Sequence, residues 1–389
     1  MIRRAGGGRR EFMREMAAVA ACVAADGLLA GCGHRVVQHA ALVPGKADSL
    51  GVHAAAHGLL AGFAVNTGML KADARYAHIV REQATIIVAE NAMKFWAMRP
   101  TEGGYKFDEA DALVAFGEEN KIKVRGHNLV WHQMPDWFGR MATKANARRL
   151  MVEHIETVAS RYAGRIHSWD VVNEAVLLLD NRADGLRASQ WLRLVGEDYI
   201  EVAFRAARVA DPLALLTYNE YGIEADNAAD EQKRQAVLML LRRLKARDVP
   251  VDALGVQSHI GAKGSYGVGL KRMIAEVQGM GLQVFLTEMD VNDSALGGDE
   301  SMRDAEVAAA AEKYLNAALA EPAVKALMMW GVYDAQTWLN YGKFARADHV
   351  PQRPLLFDKE FRPKPAYFAV RNAIDRRDVS ARRVRGAKA

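Results

Sequence analysis

Cysteine is scarce in this 389-residue chain: Cys22 and Cys32 stand near the start and there are no others. No disulfide framework therefore holds the fold. The apolar run at 16–25 ends at Asp26 and falls short of the roughly 20 residues that a membrane span needs. No glycine-rich phosphate loop follows the first strand-like run, no HExxH pair marks a metal site, and no short repeat or low-complexity linker divides the chain. The basic excess is also absent from the main body. Residues 1–31 hold five arginines against three acidic residues, and residues 371–389 hold seven Lys/Arg against two aspartates. The formal charge of +5 thus lives in the two ends, 32–370 is slightly acidic, and a nucleic-acid partner is not expected. What remains is half apolar and a quarter charged, which excludes disorder and allows one large core.

The first residues read as an address. Arg9 and Arg10, followed by Glu11-Phe12-Met13, resemble a twin-arginine export signal, and an apolar stretch follows. Leu29-Ala30-Gly31-Cys32 resembles a lipobox, in which cleavage leaves Cys32 as a lipidated N-terminus. We expect a signal peptide at 1–31, a tether at 32–46, a catalytic domain at 47–375 and a dispensable basic tail at 376–389. The protein is thus expected to be exported to the periplasm or outer surface, touching membrane only through that lipid.

From residue 47 the chain alternates. Apolar runs at 62–65, 86–88, 124–131, 166–172, 214–218, 253–256, 283–286 and 327–332 start about 38 residues apart on average. Segments of helical period separate them; in 196–210, Tyr199, Val202, Ala203 and Ala206 share one face. Eight such units predict an α/β fold, a (β/α)₈ TIM barrel forming a single catalytic domain. In that fold chemistry sits where strands end. Polar residues crowd those positions: Glu90, Asn91 and Lys94; His127, Trp131 and His132; Asn173 and Glu174; Asn219 and Tyr221; Gln257 and His259; Glu288 and Asp290; Trp330, Asp334 and Trp338.

Glu174 and Glu288 each close an apolar run, so rigid, largely buried elements present them. Leaving either buried and unpaired would be costly, which favours a functional role. Barrel strands four and seven lie nearly opposite. Paired carboxylates among aromatics, with neither metal nor cofactor called for, suit glycoside hydrolysis. Trp131, Trp330 and Trp338 offer faces on which sugars stack.

The motifs carry a resemblance. Trp169-Asp170-Val171-Val172-Asn173-Glu174-Ala175, Thr287-Glu288-Met289-Asp290 and Trp330-Gly331-Val332-Tyr333-Asp334 resemble glycoside hydrolase family 10, mainly endo-β-1,4-xylanases. Glu90-Asn91-Ala92-Met93-Lys94, Arg125 to His132, Gln257-Ser258-His259 and Pro354 to Asp358 follow in the family's order over roughly 47–373. The resemblance implies Glu174 as acid/base and Glu288 as nucleophile of a retaining double displacement on xylan and xylo-oligosaccharides. It implies Asn173 beside the sugar 2-hydroxyl, and His259 bonded to the nucleophile with Asp290 as its partner. It implies sugar contacts at Glu90, Asn91, Lys94, His127, Trp131, Gln257, Trp330 and Trp338, with Tyr221 lining the cleft.

Three places depart from the family pattern. The spacing from Trp131-His132 to Pro135 is one residue short, Glu220 stands where Asp is commoner, and the loop after Trp338 lacks the usual arginine. Two other readings compete: a related barrel acting on β-1,4-glucan, and a lipid-anchored polysaccharide-binding protein without turnover. The second is disfavoured because binding needs neither glutamate. A monomer is expected. Mass spectrometry of the exported protein should find a lipid-modified Cys32 as the first residue; an unmodified N-terminus elsewhere refutes the lipobox reading.

Overall fold

The computed structural model describes residues 43–377. The expected signal peptide, Cys32, the tether as far as residue 42 and the tail from 378 onward lie outside the described residues. Strands β1 (Leu60–Val65), β2 (Ile86–Ala89), β3 (Lys123–Gly126), β4 (Ser168–Asn173), β5 (Leu215–Glu220) and β6 (Ala253–Val256) are joined by helical segments. A three-residue strand β7 (His259–Gly261) precedes β8 (Gln283–Asn292) and β9 (Val324–Met329). Neighbouring strands pair in parallel, β9 returns to β1, and β6 pairs with β8 to close an eight-stranded (β/α)₈ barrel. The short β7 lies outside that ring and pairs with the far half of β8.

The expected runs locate the eight barrel strands with three shifts. The third run ends as a strand at Gly126, and the chain rejoins β4 only where Leu129 and Val130 donate to the carbonyls of Asp170 and Val171. The seventh extends to Asn292 because β7 gives its second half a partner. The last begins at Val324, its apolar pattern having been interrupted by Lys325. The helix expected over 196–210 begins at Tyr199, since Gly196, at φ 107°, ends the preceding helix Gln190–Val195. Side chains that accept free amides of a first turn start several of the helices, among them Asn66 for Thr67–Ala72, Asn227 for Ala228–Ala246 and Asp299 for Glu300–Ala318.

Two apolar layers hold the barrel. The larger lies between strands and helices and includes Phe63, Trp169, Leu241 and Tyr314. The smaller fills the barrel: Ala64, Ile86, Val88, Ala253, Phe285, Ala326 and Met328. Each large apolar side chain removed from water contributes about 1.5–3 kcal/mol. Above this floor the interior turns polar. Arg125 is fully buried; it donates to Ser168 Oγ (3.0 Å) and Thr217 Oγ1 (3.3 Å), pairs with Asp170 and lies over the Phe285 ring.

Contacts among the described residues reach past both expected bounds of the catalytic domain. Residues 43–46 are not all tether: Val43 packs on the core and the Pro44 carbonyl accepts from Gln83 Nε2 at 2.7 Å. At the other end, His53 Nδ1 meets Asp375 at 2.6 Å and Arg376 pairs with Glu312. Arg377 is buried, its guanidinium donating to the Val324 carbonyl at 2.7 Å. Burial pulls Arg377 down to about 10. The tail therefore contributes its first residues to the fold. Removing 378–389 should leave the melting temperature unchanged, whereas truncation after Ile374 should cost about 1–3 kcal/mol and lower it by a few degrees. Calorimetry of the two truncations checks this.

Candidate active site

The mouth of the barrel is built by two irregular strands. The pairing of β4 with β5 slips between Asp170 and Val172, and that of β8 with β9 slips between Leu286 and Met289. On a regular strand residues three apart face opposite ways. The slips reverse this, so Asp170 and Asn173 both turn inward, as do Phe285 and Glu288. Immediately beyond β4, Glu174 adopts a left-handed backbone, φ 57°. For a residue with a side chain that conformation costs about 1–2 kcal/mol.

Glu288 is 5% exposed. Its Oε1 accepts from Asn219 Nδ2 at 2.6 Å, its Oε2 lies 3.4 Å from His259 Nε2, and His127 Nδ1 stands 4.0 Å from Oε1. His259 Nδ1 meets Asp290 at 2.9 Å, and the other Asp290 oxygen accepts from Trp338 Nε1 at 2.7 Å. Burial by itself raises the Glu288 carboxyl; the hydrogen bond from His259, the charges of His127 and His259 and the Asn219 amide outweigh it and hold the group below the ordinary glutamate value. Burial by itself lowers His259, but Asp290 and Glu288 together carry it well above the ordinary histidine value. The ring is thus a cation between two carboxylates. Beneath, Asp170 receives both His127 (2.9 Å) and Arg125.

Asn219 depends on a glycine. A Cβ on Gly255 would lie 2.1 Å from Asn219 Oδ1, so no side chain fits there without moving the amide that binds Glu288. Thr287 Oγ1 donates to the same oxygen at 2.7 Å and fixes the amide's orientation.

Glu174 faces a different set. Its Oε1 accepts from Gln257 Nε2 (3.0 Å) and Asn173 Nδ2 (3.3 Å); its Oε2 lies 3.5 Å from His132 Nδ1 and 3.7 Å from Arg187 Nη2. Asn219 also donates to Asn173 Oδ1 at 2.8 Å. Two amides therefore bridge the two carboxylates: Glu288 to Asn219, Asn219 to Asn173, Asn173 to Glu174.

Around the pair stand the expected sugar contacts. Lys94 Nζ donates to Asn91 Oδ1 (3.0 Å) and lies over the rings of Trp131 and Trp330, 5.2 and 5.7 Å from their centroids. Asn91 donates to Glu90. Burial raises Glu90 and lowers Lys94, the latter opposed by the charges of Glu288, Glu90 and Glu174. Trp330 packs against His127, and Trp338 against His259. The Tyr221 hydroxyl accepts from Arg187 at 3.2 Å, and Arg187 also reaches Glu174. The structure brings the expected residues together at one end of the barrel.

Asp334 does not join them. It is buried against Lys364 Nζ (2.8 Å) and the Leu355 amide, with burial raising it to about 6. Gln133, in the shortened loop, is exposed. Sequence reasoning gave no role to Arg125, Asp170, Asn219 or Arg187. Asn219 and Asp170 had a signal, one at a strand end and the other inside the Trp169–Glu174 motif. Arg187, thirteen residues past Glu174 in a loop, had none. Among the described residues no three His, Cys, Asp or Glu stand where they could share a metal ion.

A closed parallel barrel that holds two carboxylates at its mouth, linked by two bridging amides, is the layout of a carboxylate-pair glycoside hydrolase. The chain belongs to glycosyl hydrolase family 10, whose model matches residues 49–373. It is similar to endo-1,4-beta-xylanase B of Thermotoga neapolitana, 34% identical over 308 residues, which are 77% of this chain and 84% of that protein. The crystal structure of native xylanase 10B from Thermotoga maritima superposes with a TM-score of 0.74 at 36% identity, covering 84% of this chain and 98% of that one. Xylanase 10B from Thermotoga petrophila RKU-1, solved in complex with xylobiose, gives the same TM-score and identity over 84% of this chain and 97% of that one.

The hydrogen bond from His259 is the largest influence holding Glu288 low, so with Glu288 as the expected nucleophile it should set the acid limit of activity. A carboxyl held low stays ionised as the pH falls below the ordinary glutamate value of about 4.3, so activity should persist there. His259→Ala removes the largest opposing influence, and the acid limb of kcat/KM on xylo-oligosaccharides should move to higher pH. An unmoved limb would show that other groups hold the charge.

Proposed function

We infer that this protein hydrolyses internal β-1,4-xylosidic bonds of xylan with retention of anomeric configuration. The observation that carries this reading is the unequal pair. Glu288 is the more buried of the two, with the His259–Asp290 pair and the Asn219 amide against it, while Glu174 stands across the amide bridge, held by Gln257 and Asn173 and with His132 and Arg187 3.5 and 3.7 Å away. Retention requires such a division of labour. The ionised Glu288 attacks the anomeric carbon as a protonated Glu174 gives its proton to the departing oxygen. A glycosyl ester forms on Glu288, whose charge is thereby lost. Glu174, now a carboxylate, takes a proton from water as the water attacks the same carbon and releases Glu288. The tryptophans offer faces on which pentoses stack, and Trp330, Trp338 and Lys94 would crowd a hexose hydroxymethyl. We place the enzyme outside the cytoplasm, tethered through Cys32 and acting as a monomer; residues 9–32 support the export and the tether.

Glu288→Ala should lose about 10⁴-fold or more in kcat, the scale seen when a covalent nucleophile is removed. Glu174→Ala should still be glycosylated by dinitrophenyl xylobioside, then stall until azide replaces water. Proton NMR of the first product should show the β-anomer. The α-anomer first, no azide rescue, or faster turnover of carboxymethylcellulose than of xylan would overturn the reading.

A further inference from the structure

The acid/base side of the cleft is fastened from outside the cleft. Glu220, the last residue of β5, is fully buried, and its carboxylate has a donor on every side. Oε2 accepts from the Val176 amide (3.0 Å) and the Tyr218 hydroxyl (2.6 Å); Oε1 accepts from the Tyr221 amide (3.1 Å) and Lys233 Nζ (2.8 Å). Lys233 is itself buried, on the helix Ala228–Ala246, and its ammonium sits 3.6 Å from the centre of the Tyr221 ring.

Two routes run from this ion pair to Glu174. Through the backbone, Glu220 holds the amide two residues beyond the left-handed turn at Glu174. Through side chains, Lys233 and Glu220 fix Tyr221, whose hydroxyl receives Arg187; Arg187 Nε in turn donates to the Glu174 carbonyl at 2.7 Å. A left-handed residue persists only where its surroundings over-determine it. At Glu174 those surroundings are the Asn219 carbonyl, Arg187 and, one step on, Glu220. We propose that the buried Lys233–Glu220 pair is a positioning device for the acid/base, keeping the strained turn at Glu174 and its side chain aligned for proton donation to the leaving group.

The same segment supplies a comparator. Glu224 is also buried, and its carboxylate holds the amide of Ser258, a second left-handed residue (φ 66°), at 2.9 Å. Ser258 precedes His259 on the nucleophile side. Two buried carboxylates four residues apart thus each hold an amide beside a different catalytic group, and only one of them faces the acid/base.

Proton donation matters for a poor leaving group and hardly at all for a good one. The test measures kcat/KM, which reports glycosylation, for phenyl and for dinitrophenyl β-xylobioside. Active sites are titrated with a 2-fluoro-xylobioside inactivator so that unfolded protein does not count. In Glu220→Gln, whichever way the amide turns, its NH₂ confronts two of the four donors. That variant and Lys233→Met, which acts on Glu220 from the helix, should each lose about 10- to 10³-fold on the phenyl substrate and less than about threefold on the dinitrophenyl one. Glu224→Gln should lose equally on both. If Glu220→Gln and Lys233→Met also lose equally on both, the pair only stabilises the fold and the proposal is wrong; a full rate on both substrates overturns it equally. The proposal rests on Glu174 being the acid, so Glu174→Ala is measured alongside. If that variant shows no leaving-group split, the acid assignment fails instead.

Discussion

The structure turns on one buried negative charge. As the proposed nucleophile Glu288 has to be ionised, yet it lies within a core strand and has almost no contact with water. An isolated carboxylate in such a place would take up a proton rather than stay charged. Its surroundings read as compensation. The His259 cation lies against it, Asp290 holds the charge on His259, and Trp338 holds Asp290. Asn219 supplies the shortest bond to the carboxylate, and Gly255 supplies the space that Asn219 occupies. Lower in the barrel Arg125 and His127 share Asp170. Removing a single member would leave another buried charge unpaired, which is why these groups behave as a unit.

The barrel supplies rigidity and the irregularities supply aim. An apolar floor of alanines, Ile86, Val88, Phe285 and Met328 fixes the ring of strands, and above it inward positions turn polar. Regular strands would alternate sides and could not offer Asp170 and Asn173, or Phe285 and Glu288, to the same cavity. A slip of register in β4 and another in β8 do so. The wall carrying Trp338 is tied down in the same fashion. Asp293, just past β8, receives Arg303 at 2.5 Å, and its carbonyl receives Arg346 from the loop beyond Trp338. Arg346 thus anchors that loop, in which the arginine usual beside the tryptophan is lacking.

The two glutamates are supported asymmetrically. Glu288, the proposed nucleophile, lies inside the electrostatic array of the barrel axis. Glu174, the proposed acid/base, lies on a left-handed turn pinned by Asn219, Arg187 and the loop amide at Val176. This matches what each must do. A nucleophile needs a stable charge in a fixed place. An acid that later serves as a base needs fixed geometry while its own charge changes.

The sequence by itself determined the strand-and-helix order, the barrel that follows from it, and the residues at the ends of the strands. Period, spacing and burial cost are local properties, and they are written in the order of residues. Glu174, Glu288, His259 and the tryptophans were legible because each closes or follows an apolar run. Only the tertiary structure decided how these residues are held. Arg187 comes from a loop with no period. Asn219 gains its importance from Gly255 on the neighbouring strand. Arg377 looks like part of a solvated tail until the Val324 carbonyl is found beside it. Such roles arise from contacts between residues far apart in the chain, formed as the barrel closes, and no short stretch of sequence contains them.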